Sequence, residues 1–273
     1  MLSETAQTLW KGVKEGAVGP VRLVYASFDD GMIHRMNPSR WRSASGAPWP
    51  SKDEFEVGCT YEHAGYVLTW LAAMFGPAKW VTAFASCRVR DKGVPVDSMA
   101  PDFTVGCIEY GNDVVALVTC SIVAPIDKSI TIVGENGVLR TNYVRNDASP
   151  VFLRKTPANR IVSRIGSRLS NARQRVEQAL RLPVSLDMRM ERRYPFACRP
   201  RYWTVRGNKP VDSLRGPSEL VDSIREGRPC RLSPELGLHI VELIETLQYP
   251  ERFERTRPIT STFEPIEPLP WTG

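Results

Sequence analysis

The sequence predicts an α+β fold: an open, mostly antiparallel mixed β-sheet with helices packed on one face. Three observations carry this expectation. The strand-like segments Trp80–Val89, Phe103–Tyr110, Val114–Ile122 and Ser129–Val133 follow one another with no helical stretch between them, which favours antiparallel pairing over a doubly wound sheet. The stretches Tyr110–Asp113 and Glu135–Gly137 have the Asn, Asp and Gly chemistry of tight hairpins. Apolar stripes at helical spacing, Val67, Leu68, Leu71 and Met74, then Leu236, Ile240, Leu243, Ile244 and Leu247, mark amphipathic helices that bracket the strands.

Taken in order, a first helix is expected from near Ser3 to Gly16, with Ser3 as N-cap and Gly16 at the stop. Val21–Phe28 is a strand by its β-branched and aromatic content. A long connection, residues 29–54, is rich in Pro, Ser, Trp and Arg; loops of this length inside a compact domain are functional or disordered, and the aromatics argue against disorder. Glu56 onward reads as a strand end entering the central helix, with His63 and Tyr66 sharing one side of its first turn. Residues 157–182 place Ile161, Ile165 and Leu169 beside a row of Arg160, Arg164 and Arg168. That basic amphipathic helix either packs its apolar side on the sheet, the favoured reading, or meets an anionic surface. Pro217 in a first turn and Gly227 past the end bound one closing helix, and Ser233 caps the next. His239 lies beside the core stripe of that last helix and is expected to be structural. One sheet-plus-helices domain is assigned to residues 1–249, and residues 250–273 are expected to run as a Pro-rich tail over the surface.

Composition bounds the function. Of 273 residues, 42% are hydrophobic and 24% charged, the balance of a globular protein. No apolar run reaches membrane-spanning length, and Met1–Gln7 lacks the basic start and apolar core of a signal peptide. The six cysteines form no C-x-x-C pair; buried reduced thiols, a cytoplasmic location and no metal site are the expectation. The net charge of +6 is concentrated between Arg154 and Arg206, and no nucleic-acid-binding motif accompanies it. A dinucleotide-binding domain needs a strand, a glycine-rich turn and a helix N-terminus. No G-x-G-x-x-G is present: Gly12, Gly16 and Gly19 belong to a helix and its exit, and Gly134 and Gly137 flank a hairpin.

The stretch from Glu56 to Leu71, with a histidine at the mouth of an apolar helix and a Trp-Leu pair at its end, resembles the C-terminal domain of the glucose-fructose oxidoreductase / inositol dehydrogenase (Gfo/Idh/MocA) family. In that family an Asp-x-x-x-His segment leads into such a helix. His63 and Trp70 keep the spacing, whereas Cys59 stands at the family's Asp. Residues 8–24, 130–140 and 216–229, the last followed by Leu238 and His239, resemble further family segments, so the resemblance spans about residues 5–248. It implies the dihydrodipicolinate-reductase-like or GAPDH-like sheet domain, NAD or NADP as cofactor, a sugar-like or cyclitol substrate, and a homo-oligomer built through the open sheet face. It also implies that the dinucleotide domain, with the family's catalytic Lys, is missing or supplied by another chain, so that the chain is not expected to act alone.

By the same resemblance His63 is the acid or base on the hydroxyl being oxidised, a task suited to a group titrating near neutrality. Cys59 removes an orienting carboxylate, which neighbouring Glu62 either replaces or, facing solvent, does not; Tyr66 either bonds a sugar hydroxyl or simply packs. In the long loop Arg35, Arg40, Trp41, Arg42, Trp49, Lys52 and Asp53 mix cations, aromatics and a carboxylate, which suits an anionic or nucleotide-linked sugar. Arg199, Arg201, Tyr202 and Trp203 form a second such cluster. Packing against the domain accounts for either cluster equally well. A non-catalytic sugar-binding or scaffolding subunit is the alternative function, and the loss of the Asp at Cys59 fits it.

Overall fold

The computed structural model describes residues 1–43, 45–156, 172, 175–176, 191–201, 211–254 and 256–271. The basic stretch 157–182, apart from those three isolated positions, and Tyr202 and Trp203 lie outside the described residues.

A nine-stranded mixed sheet organises the molecule, in the order β8-β7-β6-β5-β1-β4-β3-β2-β9. Its strands are β1 (Val21–Asp29), β2 (Ala78–Ser86), β3 (Phe103–Tyr110), β4 (Val115–Ser121), β5 (Ile130–Gly134), β6 (Gly137–Thr141), β7 (Val151–Lys155), β8 (Arg192–Arg193) and β9 (Thr256–Pro258). Only β1 and β4 run parallel; the other neighbours pair antiparallel. The hairpin signals are realised. Asn112 and Asp113 both take positive φ in the β3–β4 turn, and Gly134 pairs with Gly137 across the two-residue turn from β5 to β6.

The period of two divides the sheet into contrasting faces. Val24, Ala26 and Phe28 of β1, Ala116, Val118 and Cys120 of β4, and Ile130 and Ile132 of β5 are buried beneath the helices. These are α1 (Glu4–Lys14), α3 (Gly65–Phe75) and α5 (Pro234–Gln248). Ser3 caps α1 by accepting from the Ala6 N–H at 3.2 Å, and Ser233 does the same for α5 through Leu236 at 3.2 Å. Helix α5 presses Leu243 and Leu247 toward the core, and it comes so close to β3 that a Cβ at Gly106 would meet Leu247 at 2.2 Å. Helix α4 (Arg215–Glu226) hangs at the periphery, tied by Arg215 to Glu4 and Asp147 at 2.7 and 2.9 Å.

Three boundaries differ from the sequence expectation. Glu56 and Val57 are not a strand end but close a short helix, α2 (Ser51–Val57); Gly58, at φ +95°, ends it and turns the chain into the next element. Strand β2 spans Ala78–Ser86 rather than 80–89, because Asp102 accepts from the Arg88 and Val89 N–H groups and draws the chain out of the ladder. The C-terminal stretch is more than a surface tail. It adds β9 to the edge of β2 and buries Phe263. Of the six cysteines, all free, Cys59 and Cys120 are buried as expected while Cys107 is exposed on the open face. Among the described residues no helix is long and apolar enough to cross a membrane.

Candidate active site

A cavity of about 310 Å³ opens where β1 ends, lined by Asp30, Ile33, Trp41, Trp49, Glu54, Glu62, His63, Tyr66 and Arg145. This is the lower end of the roughly 300–1,000 Å³ usual for small-molecule sites. Its centre is one turn of π-helix, Thr60–Ala64, inserted between Gly58 and α3. Such widened turns recur at functional sites because they re-aim one side chain out of the regular helical spacing. Here the turn is seated by Thr60, whose hydroxyl meets that of Thr104 at 2.9 Å. Gly58 is needed at its entrance: its φ is positive, and a Cβ there would lie 2.7–2.9 Å from Gln248 and Ala100.

The turn directs His63 between two carboxyl groups, one from the end of β1 and one from α2. Nε2 lies 3.0 Å from Asp30 Oδ2, at the end of β1. Nδ1 lies 3.6 Å from Glu54 Oε1 of α2, too long for a hydrogen bond. Both Nδ1 and Glu54 Oε1 are buried without a hydrogen-bond partner. Asp30 is held in turn by the buried Lys128, whose ammonium ion-pairs with its other oxygen and sits 4.9 Å over the Phe28 ring. Phe28 is the apolar floor, stacking with His63 at 5.3 Å and with Tyr66 at 5.0 Å between centroids.

Burial sets the protonation states. It pushes the His63 imidazole well below its ordinary pKa; Asp30 opposes the shift, while Lys128 and Arg145 reinforce it. Burial also lifts the Glu54 carboxyl to about 8, with Glu62 and Asp30 adding to the rise and Arg145 opposing it. At neutral pH the site therefore holds an uncharged imidazole beside a protonated carboxyl. Because Asp30 can only accept, the ring proton belongs on Nε2, which leaves the Nδ1 lone pair facing Glu54. A neutral imidazole with a carboxylate behind it can take up a proton and have the resulting charge stabilised.

The sequence-predicted residues divide clearly. His63, Glu62, Tyr66, Trp41 and Trp49 all line the cavity, and the two tryptophans pack on each other at 4.8 Å between centroids. The other four do not. Cys59 is fully buried against β4, its thiol 3.4 Å from the Cys120 carbonyl, because the π turn that aims His63 at the cavity points Cys59 into the core. Lys52 projects into solvent and pairs with Asp97 at 2.6 Å. Arg42 folds back on the Ser39 and Trp41 carbonyls at 3.0 and 2.9 Å, and Arg35 lies exposed beside Met32. In the second cluster Arg201 pairs with Asp212 at 2.7 Å. Asp30, Glu54, Lys128 and Arg145 were not singled out by sequence. Of these only Asp30 carried a local signal, an acidic pair followed by glycine at a strand end.

The mixed open sheet under helices is the C-terminal-domain fold of the oxidoreductases that this chain resembles in structure. Residues 6–140 match the family model described as GFO/IDH/MocA C-terminal domain, and the chain carries a domain of that family. No curated protein matches the sequence. Solved structures similar to it in fold include the WlbA dehydrogenase from Bordetella pertussis in complex with NADH and UDP-GlcNAcA, at 15% identity and TM-score 0.56, covering 94% of this chain and 62% of that one. An aldose-aldose oxidoreductase from Caulobacter crescentus complexed with glycerol is similar at 15% identity and TM-score 0.59, covering 94% and 61%. An oxidoreductase from Agrobacterium radiobacter in complex with NAD+, L-tartaric acid and magnesium is similar at 15% identity and TM-score 0.56, covering 94% and 62%. The chain thus spans about three fifths of the length of these neighbours.

Proposed function

We propose that this chain is the substrate-binding and oligomer-forming half of a nicotinamide-dependent oxidoreductase acting on a hydroxyl of a sugar, sugar derivative or cyclitol. The observation that carries the reading is the placement of a neutral, buried His63 between Asp30 and Glu54 at the wall of a cavity flanked by Trp41, Trp49 and Tyr66. Aromatic faces hold a sugar ring, and the imidazole takes the hydroxyl proton. In this reading a bound hydroxyl displaces the Glu54 carboxyl from its long approach to Nδ1. Nδ1 then accepts the proton, and Asp30, fixed by Lys128, stabilises the imidazolium. Asp30 fills the orienting role that the family gives to the residue at Cys59.

NAD or NADP, when bound, supplies the hydride acceptor. The described residues do not fit the dinucleotide itself, since none forms a strand, glycine-rich turn and helix N-terminus. That half is assigned to a domain outside this sequence, in a longer polypeptide or a separate chain. NADH-bound and NAD+-bound neighbours support the cofactor class, and the WlbA complex with UDP-GlcNAcA supports a sugar derivative as substrate. A cytoplasmic location follows from the same reading.

The open sheet face supports the homo-oligomer. Leu23 and Tyr25 of β1 and Trp80 and Phe84 of β2 are 42–49% exposed there, joined across the sheet by Leu117 and Val105 through the ladder register. An apolar face of this kind marks an association surface. Light scattering is expected to give a dimer or larger species, reduced to monomer by Tyr25→Glu with Phe84→Glu.

Sugar-dependent nicotinamide reduction by this chain joined to a dinucleotide-binding domain of the same family tests the catalytic reading. Turnover abolished by His63→Ala supports it; unchanged turnover removes His63 from the mechanism. Cys59 in place of the family's carboxylate favours the second reading, a non-catalytic sugar-binding or scaffolding subunit, which predicts sugar binding without turnover in any such combination.

A further inference from the structure

The cationic side chain that lines the cavity is not among the arginines and lysine of the long loop but is Arg145, in the connection between β6 and β7. Resting on the sugar-site reading above, we infer that the substrate carries a carboxylate and that Arg145 grips it. Among the described residues Arg145 is the one cationic side chain lining the cavity. Lys128, the nearest other cation, is committed to Asp30. Arg145 itself makes no ion pair within 4.0 Å among the described residues; its guanidinium lies 5.4 Å from the Tyr66 ring centroid. A face-on contact of that kind leaves the in-plane N–H donors available, the geometry that suits a two-oxygen anion.

The segment that carries Arg145 is held on both sides, which fixes the backbone from which this exposed side chain reaches the cavity. Val144 is buried and donates to the Lys128 carbonyl at 2.7 Å. The Thr5 hydroxyl donates to the Asn146 carbonyl at 3.2 Å. Asp147 accepts from Arg215 at 2.9 Å and from the Asp212 N–H at 2.9 Å. Preorganisation of this kind lowers the entropy lost on binding.

The remaining charges decide between kinds of anion. Asp30 is neutralised by Lys128, and the Glu54 carboxyl keeps its proton at neutrality. Glu62 is left as an exposed acid on the rim. A carboxylate on the Arg145 fork brings one negative charge, held away from Glu62 by the two-point contact, whereas a dianionic phosphate ester adds a second charge facing Glu62. The cavity therefore selects a monoanionic, carboxylated sugar such as a hexuronic acid over a neutral hexose or a sugar phosphate.

The test is binding to the full chain by ligand-observed NMR, with glucuronate, glucose and glucose 6-phosphate compared at low salt and at physiological ionic strength. Glucuronate is expected to bind about tenfold more tightly than glucose, and Arg145→Gln is expected to erase that preference. Equal binding of glucuronate and glucose, or undiminished glucuronate binding by Arg145→Gln, overturns the assignment. Tighter binding of glucose 6-phosphate than of glucuronate overturns the carboxylate and leaves a phosphate site. No binding of any of the three removes the sugar site itself, and the carboxylate assignment with it.

Discussion

His63 and His239 make an instructive pair. Both are buried, both sit on helices that cover the same face of the sheet, and burial lowers the pKa of each. They differ in what their nitrogens meet. His239 Nε2 accepts from the Ala78 N–H at 3.0 Å, and its Nδ1 faces the Ser261 carbonyl at 3.1 Å. One nitrogen accepts and the other donates, so the neutral ring is saturated by groups that do not titrate. His63 meets two carboxyl groups, and one of its nitrogens has no hydrogen bond at all. The comparison teaches that burial does not mark a working histidine. Unspent bonding capacity beside titratable partners does, because only that arrangement leaves a nitrogen open to a proton and a carboxylate beside it to stabilise the charge.

The largest expected effect would break the comparison on the side of chemistry. In the reconstituted oxidation, His63→Ala should reduce turnover by ~10²–10⁴-fold, the usual worth of a positioned acid or base, with far-UV circular dichroism unchanged. The complementary variant, His239→Ala, should leave turnover per folded molecule intact. It should lower unfolding free energy by about 2–4 kcal/mol, since it strands the Ala78 N–H and opens a cavity under β2. Urea denaturation followed by fluorescence measures that loss. If the two variants exchange phenotypes, the roles given to the two rings are wrong.

A smaller effect sharpens the protonation argument. The folded state holds the Glu54 proton up to about pH 8, whereas an unfolded chain releases it near the ordinary carboxyl value of 4.5. Between those values the folded state binds more protons than the unfolded one, so stability falls as pH rises and levels off above about 8. Glu54→Gln keeps the shape and removes the titration. Its stability relative to the parent should grow from pH 5 to pH 8 by on the order of a few kcal/mol, and not beyond. Taking the difference between variant and parent cancels the other titrating groups, including Asp29, which burial and Asp127 raise to about 7. A pH-independent difference would place the Glu54 proton elsewhere.

The smallest effect concerns a residue that the sequence singled out and the structure sets aside. Lys52→Ala breaks an exposed pair with Asp97. It should leave the urea midpoint unchanged, because solvent screens the pair, and change glucuronate affinity by less than about twofold, as measured by the same titration.

Much of the fold was legible in the sequence because its signals are local. The caps Ser3 and Ser233, the turn residues at 110–113 and 135–137, and the stripe of α5 each specify structure over a few residues. The same holds for part of the site: His63, Glu62 and Tyr66 fall within four residues of one another, and Trp41 and Trp49 in one loop. The groups that tune His63 were not legible. Asp30, Lys128 and Arg145 reach it from the loops beside β1, β5 and β6, which the sheet order brings together, and Glu54 reaches it from α2. Cys59, Arg35, Arg42 and Lys52 were misplaced for the converse reason. Proximity in sequence does not reveal which way a π turn points a thiol, or that loop cations find carbonyls and acids of their own.

The most direct test of the central claim is the imidazole ¹⁵N spectrum of the protein at pH 7, recorded during a glucuronate titration. The chain has three histidines, so assignment by single substitution is straightforward. Both buried rings should be neutral, His63 protonated at Nε2 and His239 at Nδ1, and added glucuronate should move the His63 signals while leaving those of His239 in place. A His63 ring that titrates near 6.5, or that ignores every sugar added, would contradict the account of this cavity as the substrate half of an oxidoreductase site.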